Sequence, residues 1–204
     1  MNNKFKVLAI KRHRFGTDGK GITSLIGLSH CPLQCKYCLN KNIIKKDIYK
    51  EYSSEELIKE IINDYCYFVA TGGGITFGGG EPLLHAKQIK DFATKLPPNI
   101  NITLETSLNV SNNLLKIVFP YINYFIIDVK SMNKEVYKNY TKTNIDNLLI
   151  NLNYIVENNY QNNCLIRLPF ILDFNNQEDI EHSKQILQKM GFENFDIFDY
   201  KTNI

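Results

Sequence analysis

The chain alternates short apolar runs with longer stretches in which apolar residues recur every three or four positions, the pattern of strands followed by helices. Ile22–Leu28 is the first run that reads as a strand, and further runs fall at 75–77, 102–104, 124–127, 165–168 and 195–198. Between them, helical spacing is predicted around 86–96, 112–119, 147–157 and 177–190. Ser53 and Glu56 form the S-x-x-E pattern of a capping box ahead of Leu57, Ile58, Ile61 and Ile62, so another helix begins there. The expectation is an α/β chain of about six βα units. Parallel strands joined by helical crossovers bring ligands to the carboxyl ends of the strands. Two chemically unusual segments, one rich in cysteine and one in glycine, follow directly on such runs.

Composition narrows the class without naming a partner. A length of 204 residues with 44% hydrophobic content fits one domain with a sizeable core, and no repeat or low-complexity break divides residues 1–204. Twenty-four Lys+Arg against 21 Asp+Glu give a net charge of +3, too small an excess to indicate nucleic-acid binding. The N-terminal apolar run is only about four residues, against roughly 7–15 in a secretory signal. No stretch approaches the ~20 apolar residues of a membrane span. A cytoplasmic location is therefore expected, with no membrane partner, and in that compartment clustered cysteines bind metal or do chemistry more often than they form disulfides.

Three of the five cysteines, Cys31, Cys35 and Cys38, fall within eight residues as C-x3-C-x2-C. Thiolates at this spacing on a turn can converge on one centre, and three of them leave a fourth position open. A structural zinc would want a fourth ligand; His30 adjoins Cys31 and is badly placed for the same ion, and no second C-x2-C follows. A four-iron cluster ligated at three irons accounts better for the count. Cys66 and Cys164 stand alone and read as buried packing residues. The second signal is Gly72-Gly73-Gly74-Ile75-Thr76-Phe77-Gly78-Gly79-Gly80-Glu81-Pro82, in which backbone without Cβ atoms can lie directly against a ligand. It is neither a dinucleotide fingerprint nor a P-loop.

The cysteine motif, with Tyr37 just before its last cysteine, followed by Gly79-Gly80-Glu81-Pro82, resembles the radical S-adenosylmethionine superfamily. Further stretches resemble, in order, the glycyl-radical-enzyme activating enzymes of the pyruvate formate-lyase activase type. They are Asp18-Gly19-Lys20-Gly21-Ile22, Glu105-Thr106-Ser107, Asp128-Val129-Lys130, Tyr140-Thr141-Lys142 leading to Asn151-Leu152, and Ile166-Arg167-Leu168-Pro169. The resemblance covers roughly residues 14–201.

The resemblance implies a partial (β/α)6 barrel open on one side. It also implies a [4Fe–4S] cluster on Cys31, Cys35 and Cys38 that reductively cleaves S-adenosylmethionine to a 5′-deoxyadenosyl radical. Gly79, Gly80 and Glu81 would hold the cofactor's methionine amino group, the Tyr37 region its adenine, and Asp128 and Lys130 its methionine and ribose portion. Glu105, Thr106 and Asp128 match positions near a monovalent cation. Arg167, among apolar strand residues, calls for a buried anion such as a cofactor carboxylate. The substrate implied is a glycine of a partner glycyl radical enzyme, and the electron donor a flavodoxin or ferredoxin. Lys36, Lys41, Lys45, Lys46 and Lys50 offer either a solvated face or a docking patch for such an acidic donor. The chain departs from the family at Lys20, usually proline; Thr23, usually arginine; Gly78, commonly serine; Glu105, usually aspartate; and Lys201, where histidine is expected. The family's C-terminal helix is expected to be missing after Ile204, as is any auxiliary ferredoxin-like insert. Two other readings stand beside the activase: a radical enzyme acting on a small molecule or ribosomal peptide, and a non-enzymatic zinc scaffold on the same three cysteines.

Overall fold

A computed structural model of the chain describes residues 4–200. Eight strands form one sheet in the order β3-β1-β2-β4-β5-β6-β7-β8. Six of them, β2 (Ile22–Leu28), β4 (Gly74–Gly79), β5 (Asn101–Thr106), β6 (Tyr124–Asp128), β7 (Cys164–Phe170) and β8 (Phe195–Asp199), run parallel in the predicted places. They form the open, partial-barrel α/β arrangement that was expected. The crossover helices α4 (Ala86–Lys95), α5 (Asn112–Val118), α7 (Asp146–Glu157) and α8 (Gln177–Lys189) also follow the periodicity. The capping box at Ser53 and Glu56 is formed with both reciprocal bonds, starting α2 (Ser54–Ile61), which buries Leu57 and Ile61.

Several elements exceed the prediction. β1 (Phe5–Phe15) lies antiparallel to β2, and the short β3 (Lys50–Tyr52) pairs with the outer edge of β1. The apolar run of β1 stops at Ile10, and its second half, Lys11 to Arg14, carries only charged and polar side chains, so ladder bonds rather than periodicity keep it extended. The helices α1 (Lys41–Lys45), α3 (Tyr65–Thr71) and α6 (Lys134–Thr141) are short, and α1 buries no residue at all, which is why spacing did not reveal it. Cys66, in α3, is exposed and corrects the expectation of a packing residue; Cys164 in β7 is buried as expected. No helix among the described residues is long and apolar enough to cross a membrane.

The period-two alternation of the parallel strands separates two kinds of face. One face carries Ile26, Leu28, Ile75, Phe77, Ile102, Leu104, Phe125, Ile127, Ile166 and Leu168 into the helix-covered core, all 3% exposed or less. There Phe77 stacks on Phe5 at 5.6 Å and meets Phe92 of α4 edge-on at 5.3 Å. The other face is unusual for a parallel sheet, which is normally apolar on both sides. It presents Leu25, Thr76, Gly78, Thr103, Glu105, Asp128 and Arg167 towards the open concavity. Residues 16–21 cross this concave face, held by Arg167 Nη2 donating to the Thr17 carbonyl at 2.6 Å and by the Thr76 hydroxyl donating to the Asp18 carbonyl.

Candidate active site

The cysteine segment leaves β2 at its carboxyl end, and three backbone tethers shape it. His30 adopts φ +66°, reversing the chain, and its carbonyl accepts from Glu81 N at 2.7 Å, while Gly80 N donates to the Leu28 carbonyl at 2.8 Å. Gln34 N donates to the Thr141 carbonyl at 2.9 Å, fixing the segment to the end of α6, and the Asn40 side chain donates to the Gly79 carbonyl at 2.8 Å. Gly80 is required here by close approach: a Cβ on it would stand 2.2 Å from the His30 carbonyl oxygen. The two glycines therefore bring the end of β4 against the cysteine loop as well as leaving bare backbone on a cavity wall.

That cavity has a volume of about 410 Å3 and lies at the carboxyl ends of the strands. Cys31, Cys35, Cys38, Gly79, Gly80, Glu105, Thr106, Asp128 and Lys130 all line it, so most of the predicted site residues come together. Arg14, Asp18, Leu25, Ser107 and Tyr200 also line it, beside Leu33, Leu39 and Asn40 of the cysteine segment. Asp18 and Ser107 belong to stretches that carried the family resemblance; Arg14 had no sequence signal, because its position depends on an irregularity in β1. Lys201 lies outside the described residues.

Three predicted residues do not line the cavity. Glu81 is completely buried, and its carboxylate accepts from Thr106 Oγ1 (2.6 Å), Ser107 Oγ (2.6 Å), Ser107 N (3.0 Å) and Leu83 N (3.1 Å). Its role in the structure is to clamp the ends of β4 and β5 together. Tyr37 turns towards Phe174 (6.0 Å) and Tyr140 (6.4 Å), its hydroxyl donating to Asp173 at 3.3 Å. Arg167 finds its anion within the protein, with Nη1 2.7 Å from Glu105 and Nε 3.6 Å from Asp196.

The charges around the cavity are of both signs. Lys130 is buried with Nζ 3.6 Å from Asp128 and 5.4 Å from the Tyr200 ring centre; burial works to lower its pKa, but the Asp128 carboxylate and Tyr200 outweigh it and the ammonium is held charged. Burial and the neighbouring Asp128 push Glu105 upwards, and the Arg167 guanidinium opposes them. Arg14 and Asp18 pair at 2.5 Å. Gly78 leaves the room that Glu105 occupies, since a Cβ there would meet Glu105 Oε2 at 3.0 Å and Leu25 at 3.3 Å. Burial raises the Cys31 thiol to about 12 and Cys35 to about 11, so these groups ionise only when a metal replaces the proton.

The thiols border one space without meeting at a point: among the described residues no three His, Cys, Asp or Glu side chains form a single-ion site. A four-iron cubane carries its ligands on separate irons, so thiols distributed around one cavity suit it. On the outer side of the cysteine loop lies a second cavity of about 510 Å3, sharing the three cysteines and rimmed by Lys36, Lys41, Lys45 and Lys142 over Leu33, Ile44 and Phe174. Lys46 and Lys50, grouped with these in the sequence, do not line it, and Lys50 sits over the Tyr52 ring.

The family model of the Radical SAM superfamily matches residues 25–186, from the middle of β2 into α8. The chain belongs to that superfamily. It is 37% identical over 145 residues to the (2S)-3-sulfopropanediol dehydratase activating enzyme of Klebsiella oxytoca, covering 70% of this chain and 45% of that protein. It is 26% identical over 168 residues to the pyruvate formate-lyase 1-activating enzyme of Escherichia coli K12, covering 81% of this chain and 68% of the relative. The fold matches the crystal structure of SuiB from Streptococcus suis at a TM-score of 0.66 and 15% identity, over 87% of this chain and 39% of that one. The chain spans about half the length of the first curated relatives it matches.

Proposed function

We propose that this radical SAM chain is the core of an activating enzyme that installs a radical on a glycine of a partner glycyl radical enzyme. The observation that carries the reading is the meeting, in one cavity at the strand ends, of three thiols, the bare Gly79–Gly80 backbone and the Asp128–Lys130 pair. Similarity to relatives named as activating enzymes directs it towards a protein substrate. Cys31, Cys35 and Cys38 would hold a [4Fe–4S] cluster, which when bound supplies the single electron that cleaves S-adenosylmethionine into methionine and a 5′-deoxyadenosyl radical able to take a hydrogen atom. Around it the chain's own residues bind and orient. A cofactor whose methionine end carries both an ammonium and a carboxylate suits a wall with fixed charges of both signs: Asp128 and the Gly79–Gly80 backbone would hold the ammonium, and Lys130 the carboxylate. A monovalent cation belongs with Glu105, Thr106 and Asp128, where Arg167 already supplies one positive charge. An acidic flavodoxin or ferredoxin fits the outer cavity, whose four lysines make no ion pair among the described residues and lie behind the thiols.

The test is to mix the anaerobically reconstituted protein, a reductant, S-adenosylmethionine and a candidate glycyl radical enzyme, and to record the electron paramagnetic resonance spectrum. A glycyl doublet is expected, with 5′-deoxyadenosine formed alongside. Cofactor cleavage without a doublet on any glycyl radical enzyme of the same organism sinks the activase reading and leaves a small-molecule or peptide substrate. A colourless protein that holds zinc sinks the radical reading itself.

A further inference from the structure

Asn40, two residues after the last cysteine, stands at the N-cap of α1 with φ −95° and ψ 4°, yet its side chain caps no amide of that helix. Asparagine is among the best N-cap residues, so one that forgoes the cap is held elsewhere. Core packing does not account for its direction, because α1 has five residues and buries none of them. What holds it is the Gly79 carbonyl, which accepts from Asn40 Nδ2 at 2.8 Å. A carbonyl can only accept, and this fixes which end of the carboxamide faces it. At the other end of the same peptide, Gly80 N donates to the Leu28 carbonyl at 2.8 Å. The peptide is trans, so its carbonyl and N–H point opposite ways; with Gly79 at φ +92° and glycine on both sides, no side chain bars it from turning over. Leu28 and Asn40 grip it from its two ends, with the carbonyl directed away from β2 to Asn40. Gly79, Gly80 and Asn40 all line the inner cavity, and a carbonyl oxygen has a second lone pair for a further donor.

Resting on the assignment of S-adenosylmethionine to this cavity, we infer that Asn40 is a positioning residue for the cofactor: its carboxamide keeps the Gly79–Gly80 peptide turned with the carbonyl, rather than the N–H, towards the cavity, and so sets the affinity for the methionine ammonium. An ammonium has three donors and no acceptor, so a peptide turned over would meet it with an opposing N–H dipole. Asn40 acts through Gly79 alone. No proton or electron passes through it, and no bond is made or broken on it.

The experiment measures S-adenosylmethionine binding to the anaerobically reconstituted protein, its cluster oxidised, by equilibrium dialysis in wild type, Asn40→Ala and Asn40→Ser, with iron and sulfide content determined in each. Serine caps a helix as well as asparagine does, but its side chain is a bond shorter and does not reach the Gly79 carbonyl. Both variants should keep the cluster and bind the cofactor about tenfold more weakly, the weight of one ordinary hydrogen bond. 5′-Methylthioadenosine, which has no ammonium, should bind all three proteins equally. Wild-type affinity in Asn40→Ser beside weakened binding in Asn40→Ala would assign Asn40 to capping α1 and overturn the inference, as would unchanged binding in both. Equal losses for the cofactor and 5′-methylthioadenosine would mean a distorted cavity and overturn it too. Loss of the cluster from both variants would assign Asn40 to the folding of the cysteine loop, which also overturns it. A wild type that holds a cluster and binds no S-adenosylmethionine, or that assembles no cluster, overturns the functional reading first, a result distinct from all of these.

Discussion

Two fully buried carboxylates stand at opposite ends of the parallel strands, and they are held in opposite ways. Asp64, following α2 at the amino ends, receives Arg12 through Nε (2.7 Å) and Nη2 (2.5 Å), His13 Nε2 (2.8 Å) and the Ser24 hydroxyl (3.0 Å). Glu81, at the carboxyl ends, receives two hydroxyls and two backbone amides and no cation. The forked Arg12 bond, with Ser24 and His13, holds the Asp64 carboxyl below its ordinary range against the cost of burial; burial wins at Glu81 and raises it. The local cause at Asp64 is a bulge. Consecutive side chains of a regular strand point to opposite faces, so Arg12 and His13 could not both reach one carboxylate. The register of β1 against β2 slips between Lys11 and Arg14, where His13 takes φ +55°, and both side chains then meet Asp64 while Arg14 turns inward to Asp18. The amino end is thus fastened by ions partly open to water, as 40% of the Arg12 side chain is exposed. The carboxyl end is fastened by neutral dipoles that set the positions of the β4 and β5 loops. Both carboxylates hold elements of the fold together, but only Glu81 also fixes residues of the cavity wall, Thr106 and Ser107.

The largest effect should fall on chemistry at the carboxyl end alone. Cys35→Ala is expected to abolish cluster assembly and cofactor cleavage while far-ultraviolet circular dichroism and the urea midpoint of the metal-free protein stay near wild type; Cys66→Ala, altering an exposed thiol, should keep both cluster and turnover. A competent four-iron cluster in Cys35→Ala, measured by iron content and absorption, would remove the assignment. Next in size is Glu81→Ala. Four donors lose their acceptor in a site without water access, and a destabilisation of about 3 kcal/mol is expected in urea unfolding, accompanied by loss of cofactor binding because Ser107 and Thr106 on the cavity wall are released. Retained cofactor affinity at that stability loss would show that Glu81 does not set site geometry.

The six parallel strands and the cysteine and glycine motifs were legible in the sequence because each depends on local pattern: apolar alternation, cysteine spacing, glycine clusters. What escaped was set by partners distant in the chain. β1 becomes a strand through β2 and β3, and half of it looks like a charged loop. Arg14 lines the cavity only because the bulge beside it shifts the alternation. Glu81 was read as a cofactor contact because its motif resembles one, yet residues 25 and 26 positions later occupy its carboxylate. Arg167 was expected to meet an anion such as a cofactor carboxylate; in the structure its partner is Glu105, 62 residues away, and no spacing rule joins them. The lysine patch was half legible: Lys36, Lys41 and Lys45 converge, whereas Lys142 arrives from the end of α6.

The smallest effect sharpens the comparison most, because the two carboxylates should respond to pH with opposite signs. Asp64→Asn is expected to cost about 2 kcal/mol at pH 7, the worth of a charge-assisted pair whose arginine can still reach water. The folded-state pKa of Asp64 lies below its unfolded value of about 3.9, so its contribution is complete above that value and is lost as pH falls through the folded one. The stability gap between wild type and Asp64→Asn should therefore narrow on acidification below about pH 4. For Glu81 the folded value is raised, so its contribution is complete below the unfolded value of about 4.3 and declines as pH rises through the folded one. The gap between wild type and Glu81→Gln should accordingly be widest in acid and narrow towards neutrality. Urea unfolding of the three metal-free proteins across the pH range, each still folded at its lowest value, measures both slopes. Parallel slopes would mean that the two carboxylates are held alike, and the division into an end fastened by ions and an end fastened by neutral dipoles would fall with them.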